Sequence, residues 1–137
     1  MSPGVQYLDL ADFLVIAEAV LDVEAEVLAH QANLHLADSA LNAPRAGFGE
    51  VEFYPDFATK AAVLCWHIIR NHPLPDGNKR TGYLSMVEFV ERNGYTWTPP
   101  SNDPGGDQTV EILVGVAVGT VNAEDLAEWV RDRIATP

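Results

Sequence analysis

The segment from His72 to Thr81 reads His-Pro-Leu-Pro-Asp-Gly-Asn-Lys-Arg-Thr and concentrates residue types that can do chemistry. His72 can act as a general base near neutral pH. Asp76 offers a hard carboxylate oxygen of the kind that Mg²⁺ prefers. Lys79 and Arg80 add two adjacent cations. A base, a metal ligand and paired cations in one short segment are the parts that phosphoryl transfer needs.

Proline and glycine predict the backbone around these side chains. A turn at residues 75–78 is expected, with a helix that begins at Asn78. The N–H groups of the turn and of the helix start would point outward together and form a nest for an anion, which the helix dipole strengthens. Acidic side chains usually favour a helix start, yet two bases stand here. This mismatch indicates that an external anion completes the site.

Each feature of the segment also has an ordinary structural interpretation. A histidine before a loop is usually a surface residue, Asp-Gly-Asn is a common turn, and a Lys-Arg pair at a helix start is often only solvated. The combination of all of them at fixed spacing favours the catalytic interpretation.

Hydrophobic periodicity predicts a helix on each side of this loop. The first opens at Pro55-Asp56 and runs to about Asn71, and the second runs from about Asn78 to Asn93, with Gly94 as its C′ residue. The second is apolar nearly all round and is expected at the buried centre of the domain. Its polar positions form one narrow stripe: Thr81, Ser85, Glu88 and Arg92.

The N-terminal part of the chain also favours helices. One is predicted from Leu10 to Leu21 with Asp9 as its N-cap, and a second from about Val23 to Gln31. Residues 36–54 are predicted to form a short helix followed by a Gly-rich extended stretch from Gly47 to Tyr54.

The C-terminal part completes an all-α prediction. Residues 95–98 are either a short strand or extended chain, and residues 107–119 favour a helix by their length. A last helix follows its N-cap Asn122, and its inward-facing residues are expected to be Leu126, Trp129, Val130 and Ile134. The predicted fold is one domain over residues 1–137, an all-α helical bundle with at most a short β-flap.

Composition excludes several classes of function. The 137 residues carry 20 acids and 8 bases, a formal net charge of −12, which argues against direct binding of nucleic acid or of anionic membranes. Four of the bases, Lys60, Arg70, Lys79 and Arg80, are close in sequence and are expected around the motif. The single cysteine, Cys65, is expected to be a core residue, and the lack of a second cysteine favours a reducing compartment. No signal or membrane segment is evident. A cytoplasmic protein is expected.

The segment at 72–80 resembles the Fic signature, His-x-Phe-x-(Asp/Glu)-Gly-Asn-(Gly/Lys)-Arg, and Lys79 is similar to the lysine of the Doc (death-on-curing) branch of the Fic/Doc superfamily. Residues 41–45 and 113–117 resemble the flanks of such proteins. One residue departs from the signature, because Leu74 stands where the family has Phe. Leucine keeps an apolar anchor for the loop with less volume.

The resemblance implies a role for each residue of the motif. His72 would deprotonate the hydroxyl of the target protein, and Asp76 would hold Mg²⁺. Gly77 and Asn78 would shape the anion nest, and Arg80 would clamp the phosphates of ATP. Lys79 would fill part of the anion hole, so that the γ-phosphoryl group is presented and the enzyme acts as a protein kinase.

The resemblance also implies partners. The target would be a Ser or Thr of a protein, with elongation factor Tu as the expected one, and its modification would stop translation. The segment Thr120 to Ala127 lacks the Gly and Asn of the family's inhibitory motif, so inhibition is expected in trans, by a Phd-like antitoxin. Two alternatives stay open, an AMP-transferring Fic enzyme and a catalytically dead binding module. Residues 47–53 are either a flap that docks the target by strand pairing or a surface loop.

Overall fold

The computed structural model describes residues 4–137 and confirms an all-α fold. Seven α-helices are found in this part of the chain: α1 (Leu10–Leu21), α2 (Ala25–Gln31), α3 (Leu34–Asn42), α4 (Phe57–Asn71), α5 (Asn78–Arg92), α6 (Asp107–Val118) and α7 (Ala123–Arg131). A short 3₁₀ turn, Ala43–Arg45, follows α3. None of these helices is long and apolar enough to cross a membrane.

Two small antiparallel sheets accompany the helices. Strands β1 (Gly47–Phe48) and β2 (Val51–Glu52) form a hairpin, and β3 (Thr96–Trp97) pairs with β4 (Ile134–Ala135). The extended segment at 95–98 is therefore a strand. The prediction that Ile134 lies on the last helix is wrong, because α7 ends at Arg131 and Ile134 pairs with Trp97 in the sheet.

Two helices start at the N-caps predicted from the sequence, Asp9 and Asn122. The side chains of Asp9 and Asn122 cap α1 and α7 through capping boxes, and Asp56 caps α4 by accepting from the Thr59 amide. Gly94 has φ +85° directly after the end of α5, as a C′ glycine requires. The second helix begins two residues later than predicted, because Asp22, the C-cap of α1, adopts a left-handed conformation.

The central helix of the bundle is α4, which corrects the prediction that α5 holds that place. Helix α4 packs against α3, α5, α6 and α7. Helix α5 leaves Leu84 42% exposed, while two residues of its polar stripe, Thr81 and Ser85, are fully buried. Gly82 explains this orientation, because it has no side chain to keep the two helices apart. A Cβ at this position would lie only 3.2 Å from the Cys65 carbonyl oxygen of α4. The two helices therefore approach closely along the Gly82 face.

Candidate functional site

The motif loop, residues 72–77, connects the C-terminal end of α4 to the N-terminal end of α5. His72 is the C-cap of α4 and has φ +54° and ψ +54°. This left-handed conformation is uncommon for a residue with a Cβ, but it is a common way for a helix to end, and Asp22 adopts it at the end of α1. The conformation turns the chain out of α4 and leaves the His72 side chain exposed at the end of the helix.

Asn78 fixes the shape of the loop from within. Its side chain is 5% exposed and bonds both sides of one peptide: Oδ1 accepts from the Leu74 amide at 3.0 Å, and Nδ2 donates to the Leu74 carbonyl at 2.9 Å. Leu74 itself is 2% exposed and belongs to the hydrophobic core. The apolar anchor expected at this position is therefore in place, and Asn78 holds its backbone.

Two further contacts attach the loop and the last residue of α4 to the start of α3. The Asn33 amide donates to the Pro73 carbonyl at 2.8 Å, and Asn71 Nδ2 donates to the Leu36 carbonyl at 3.1 Å. No sequence signal marked Asn33 or Leu36, because these contacts depend on how α3 packs beside α4. The loop is thus held by α3 as well as by the two helices that it connects.

Gly77 is required at its position for two reasons. It has φ +76°, where residues with a side chain are strained, and a Cβ there would lie 2.7 Å from Leu21 Cδ2 at the end of α1. As the N-cap of α5, Gly77 offers no side chain to the first helical amides. Its own amide donates to Asp76 Oδ1 at 2.8 Å.

The first amides of α5 are available to an anion. Within residues 4–137, the N–H groups of Asn78, Lys79 and Arg80 have no protein acceptor, and hydrogen bonding of the helix begins with the Thr81 amide, which donates to the Gly77 carbonyl. The first turn contains no acidic residue. Three free amides and the positive end of the helix dipole therefore face outward beside the loop.

The loop and the start of α5 line a pocket of about 280 Å³, which we call the motif pocket. Five of the predicted site residues meet there: His72, Asp76, Gly77, Asn78 and Lys79. Ile69 of α4 and Ala117 of α6 complete the lining, and neither was predicted from the sequence. Ala117 reaches the pocket through tertiary packing, which no local pattern reveals.

Arg80 is not among the lining residues of the motif pocket. It lines a neighbouring groove on the other side of the first turn of α5, together with Tyr83 and Leu84. Successive residues of a helix point about 100° apart, so Lys79 and Arg80 flank the free amides from two sides.

The basic residues near the motif in sequence separate in space. Lys60 lies about 18 Å before His72 along α4, at 1.5 Å per residue. It is 2% exposed and donates to Glu52 Oε1 at 2.8 Å and to the Pro44 carbonyl at 3.1 Å. Burial by itself would lower the pKa of Lys60, but its contacts with Glu52 and Tyr7 raise it above the usual value. The expectation that Lys60 lies around the motif is wrong.

Lys79 and Arg80 differ from the other cations of this acidic chain. Six of its eight Lys and Arg side chains contact a carboxylate, a carbonyl or an aromatic ring: Arg45, Lys60, Arg70, Arg92, Arg131 and Arg133. Within residues 4–137, no such partner is found for Lys79 or Arg80. The only unpaired positive charges in the described part of the chain thus flank the free amides.

The β1–β2 hairpin lies at the other end of α4. The Lys60–Glu52 ion pair connects it to the first turn of that helix, and none of its residues lines the motif pocket. Phe48 is 83% exposed on the hairpin. This position favours a surface hairpin over a flap that docks the target beside the motif.

Comparison with known proteins shows the family of this chain. The sequence model of the Fic/DOC family matches residues 7–90, which include α1 to α4, the motif loop and nearly all of α5. The chain belongs to the Fic/DOC family. A protein named Toxin Doc, from Mycolicibacterium smegmatis, is 36% identical over 89 residues, which make up 65% of this chain and 65% of that relative. The matched region thus spans less than two thirds of the relative's length.

Proposed function

We propose that this Fic/DOC protein is a Doc-type toxin, an enzyme that transfers the γ-phosphoryl group of ATP to a Ser or Thr hydroxyl of a protein. One observation carries the proposal: His72, Asp76 and Lys79 line one pocket beside three free amides at the start of α5. Amides, a helix dipole and an unpaired ammonium group are suited to a phosphate chain. The name of the relative in M. smegmatis supports the toxin assignment.

His72 would act as the general base. Its imidazole has no hydrogen-bond partner among the described residues, so a substrate hydroxyl can take that place. The proton of the hydroxyl would move to a ring nitrogen as its oxygen attacks phosphorus, while the bond from phosphorus to the leaving oxygen of ADP breaks. Lys79 and the amides would stabilise the negative charge on the transferred group.

The pocket fits Mg²⁺ that arrives with the nucleotide. Asp76 Oδ1 accepts from the Gly77 amide, which leaves Oδ2 for a cation. The described residues contain no group of three or more His, Cys, Asp or Glu side chains that could hold a metal alone. Mg²⁺ commonly binds through one or two carboxylates together with phosphate oxygens and water. Bound through Asp76, it would neutralise charge on the phosphates.

Lys79 supports phosphoryl transfer over AMP transfer. Its side chain lines the motif pocket, where the family's AMP-transferring enzymes have glycine and hence open space. A lysine in this place occupies part of the phosphate site and adds a positive charge where the transferred group would bind.

The proposed partners follow from the same activity. We propose elongation factor Tu as the protein target, which would place the toxin in the cytoplasm, and a Phd-like antitoxin as its inhibitor. Residues 120–127, the segment nearest to the family's inhibitory motif, do not line the motif pocket. This position agrees with the proposal that inhibition comes from another chain.

The experiment is incubation of the chain and purified elongation factor Tu with ATP labelled at either the α or the γ phosphorus. Transfer of γ label alone is expected. Transfer of α label alone would show an AMP-transferring enzyme. The His72→Ala variant should transfer neither label. If that variant inhibited growth as strongly as the wild type, toxicity would come from binding and not from catalysis.

A further inference from the structure

One wall of the motif pocket comes from a distant part of the chain. Six of its seven lining residues lie within residues 69–79, one continuous stretch formed by the end of α4, the motif loop and the start of α5. The seventh is Ala117, in the last turn of α6. The width of the pocket therefore depends on where the end of α6 lies relative to α4.

Arg70 connects this end of α6 to α4. It lies in the last turn of α4, two residues before His72, and its Nη1 donates to the Ala117 carbonyl at 3.1 Å. Its guanidinium also lies 5.8 Å from the centre of the Trp66 ring, one turn back along α4. The side chain is thus held by its own helix on one side and binds α6 on the other.

The Ala117 carbonyl depends on this bond. Helix α6 ends at Val118, and the amides of residues 119–121 donate to the carbonyls of Gly115 and Val116 instead. Within residues 4–137, Arg70 is the only donor to the Ala117 carbonyl. The last turn of α6 contains no basic residue of its own, so Arg70 also supplies the positive charge that the C-terminal end of a helix favours.

Arg70 itself does not line the motif pocket. Its side chain is exposed, so its hydrogen bond contributes little to the stability of the whole chain. The bond does decide where Ala117 lies, and Ala117 faces the same pocket as His72 and Lys79. Any effect of Arg70 on the reaction is therefore expected to act through the position of α6.

We propose that Arg70 is a positioning residue for the transfer reaction. By binding the Ala117 carbonyl it sets the distance between the α6 wall and His72, and with it the space for the transferred group and the attacking hydroxyl. The proposal rests on the proposed function, because it concerns the reaction in the motif pocket. That pocket encloses only about 280 Å³. A misplacement of about 1 Å in such a site can lower a rate by about a hundredfold.

The test measures transfer of label from ATP to elongation factor Tu by the wild type and two variants. Arg70→Met keeps an unbranched side chain beside Trp66 and removes the donor. It should lower kcat about tenfold or more and change KM for ATP less than about threefold, because the phosphate site is intact. Arg70→Lys restores a donor and should keep kcat within about threefold of the wild type.

Arg133→Met is the matched control. Arg133 also donates to a backbone carbonyl, that of Trp129 at 2.8 Å, and lies 4.4 Å from the centre of an indole ring, but it lines no part of the motif pocket. Its kcat should equal that of the wild type. The proposal would be wrong if Arg70→Met kept the wild-type kcat, if KM for ATP rose in place of a fall in kcat, or if Arg133→Met lost kcat as strongly.

NMR of the ¹⁵N-labelled variants without ATP separates this proposal from the proposed function. Arg70→Met should shift the amides of residues 117–121, at the end of α6, and Arg133→Met should leave them unchanged. Unchanged amides in Arg70→Met, together with an active wild type, would overturn the positioning role alone. A wild type that transferred neither the α nor the γ label would overturn the proposed function, and the role of Arg70 with it.

Discussion

Substitution of Asn78 by alanine tests how the motif loop keeps its shape. The change removes two hydrogen bonds, of 3.0 and 2.9 Å, to the amide and carbonyl of buried Leu74. A buried polar group left without a partner costs about 1–3 kcal/mol. Because water can reach part of the loop, we expect a loss of about 2–4 kcal/mol in the free energy of unfolding. Urea unfolding followed by circular dichroism measures this loss.

Asn42 provides a matched control for Asn78. Its Nδ2 also donates to a backbone carbonyl, that of Asp38 at 2.9 Å, but its side chain is exposed. Asn42→Ala should therefore cost less than about 0.5 kcal/mol, because water replaces the lost bond. Equal losses for the two variants would refute the role of Asn78 in holding the loop. A large loss of stability for Asn78→Ala alone would support it, provided that the slope of the free energy of unfolding against urea concentration is unchanged.

Three further variants test other parts of the structure. Burial raises the pKa of the Cys65 thiol from 9.0 to about 12. Between about pH 9 and 12 the folded state therefore binds more protons than the unfolded state, and the free energy of unfolding falls as the pH rises. The Cys65→Ala variant should lack this fall. Urea unfolding of both proteins against pH measures it, and parallel curves would contradict it. Lys60→Met leaves the Pro44 carbonyl without its donor and should lower the free energy of unfolding by about 1–3 kcal/mol. The affinity for ATP should stay unchanged, because Lys60 is remote from the motif pocket. Weaker ATP binding would contradict that separation. Leu74→Phe should cost about 1–3 kcal/mol through overpacking, measured in the same unfolding assay, and a more stable variant would show that leucine leaves unfilled space.

Local sequence patterns predicted most helices because their determinants are local. Asp9 and Asn122 cap the helices that follow them, and Gly94 ends α5 through its own positive φ. The bend at residues 74–76 is held in part by a nearby residue, since the Asn78 side chain bonds the Leu74 backbone. These features follow from side-chain and backbone preferences that act over a few residues.

Tertiary packing decided the features that the sequence did not reveal. Periodicity could not show that Thr81 and Ser85 face α4, since their burial results from the close approach at Gly82. Ala117 joined the motif pocket through the packing of α6. Closeness in sequence suggested that Lys60 lies near the motif, but Lys60 lies in the first turn of α4, about three turns of helix from His72.

The measurement that tests the central claim most directly is a titration of ¹⁵N-labelled protein with Mg²⁺ and ATP, followed by NMR of the backbone amides. The account predicts the largest shifts at the amides of Asn78, Lys79 and Arg80, whose N–H groups have no protein acceptor among the described residues. Small shifts at these amides, with large ones elsewhere on the surface, would contradict the account.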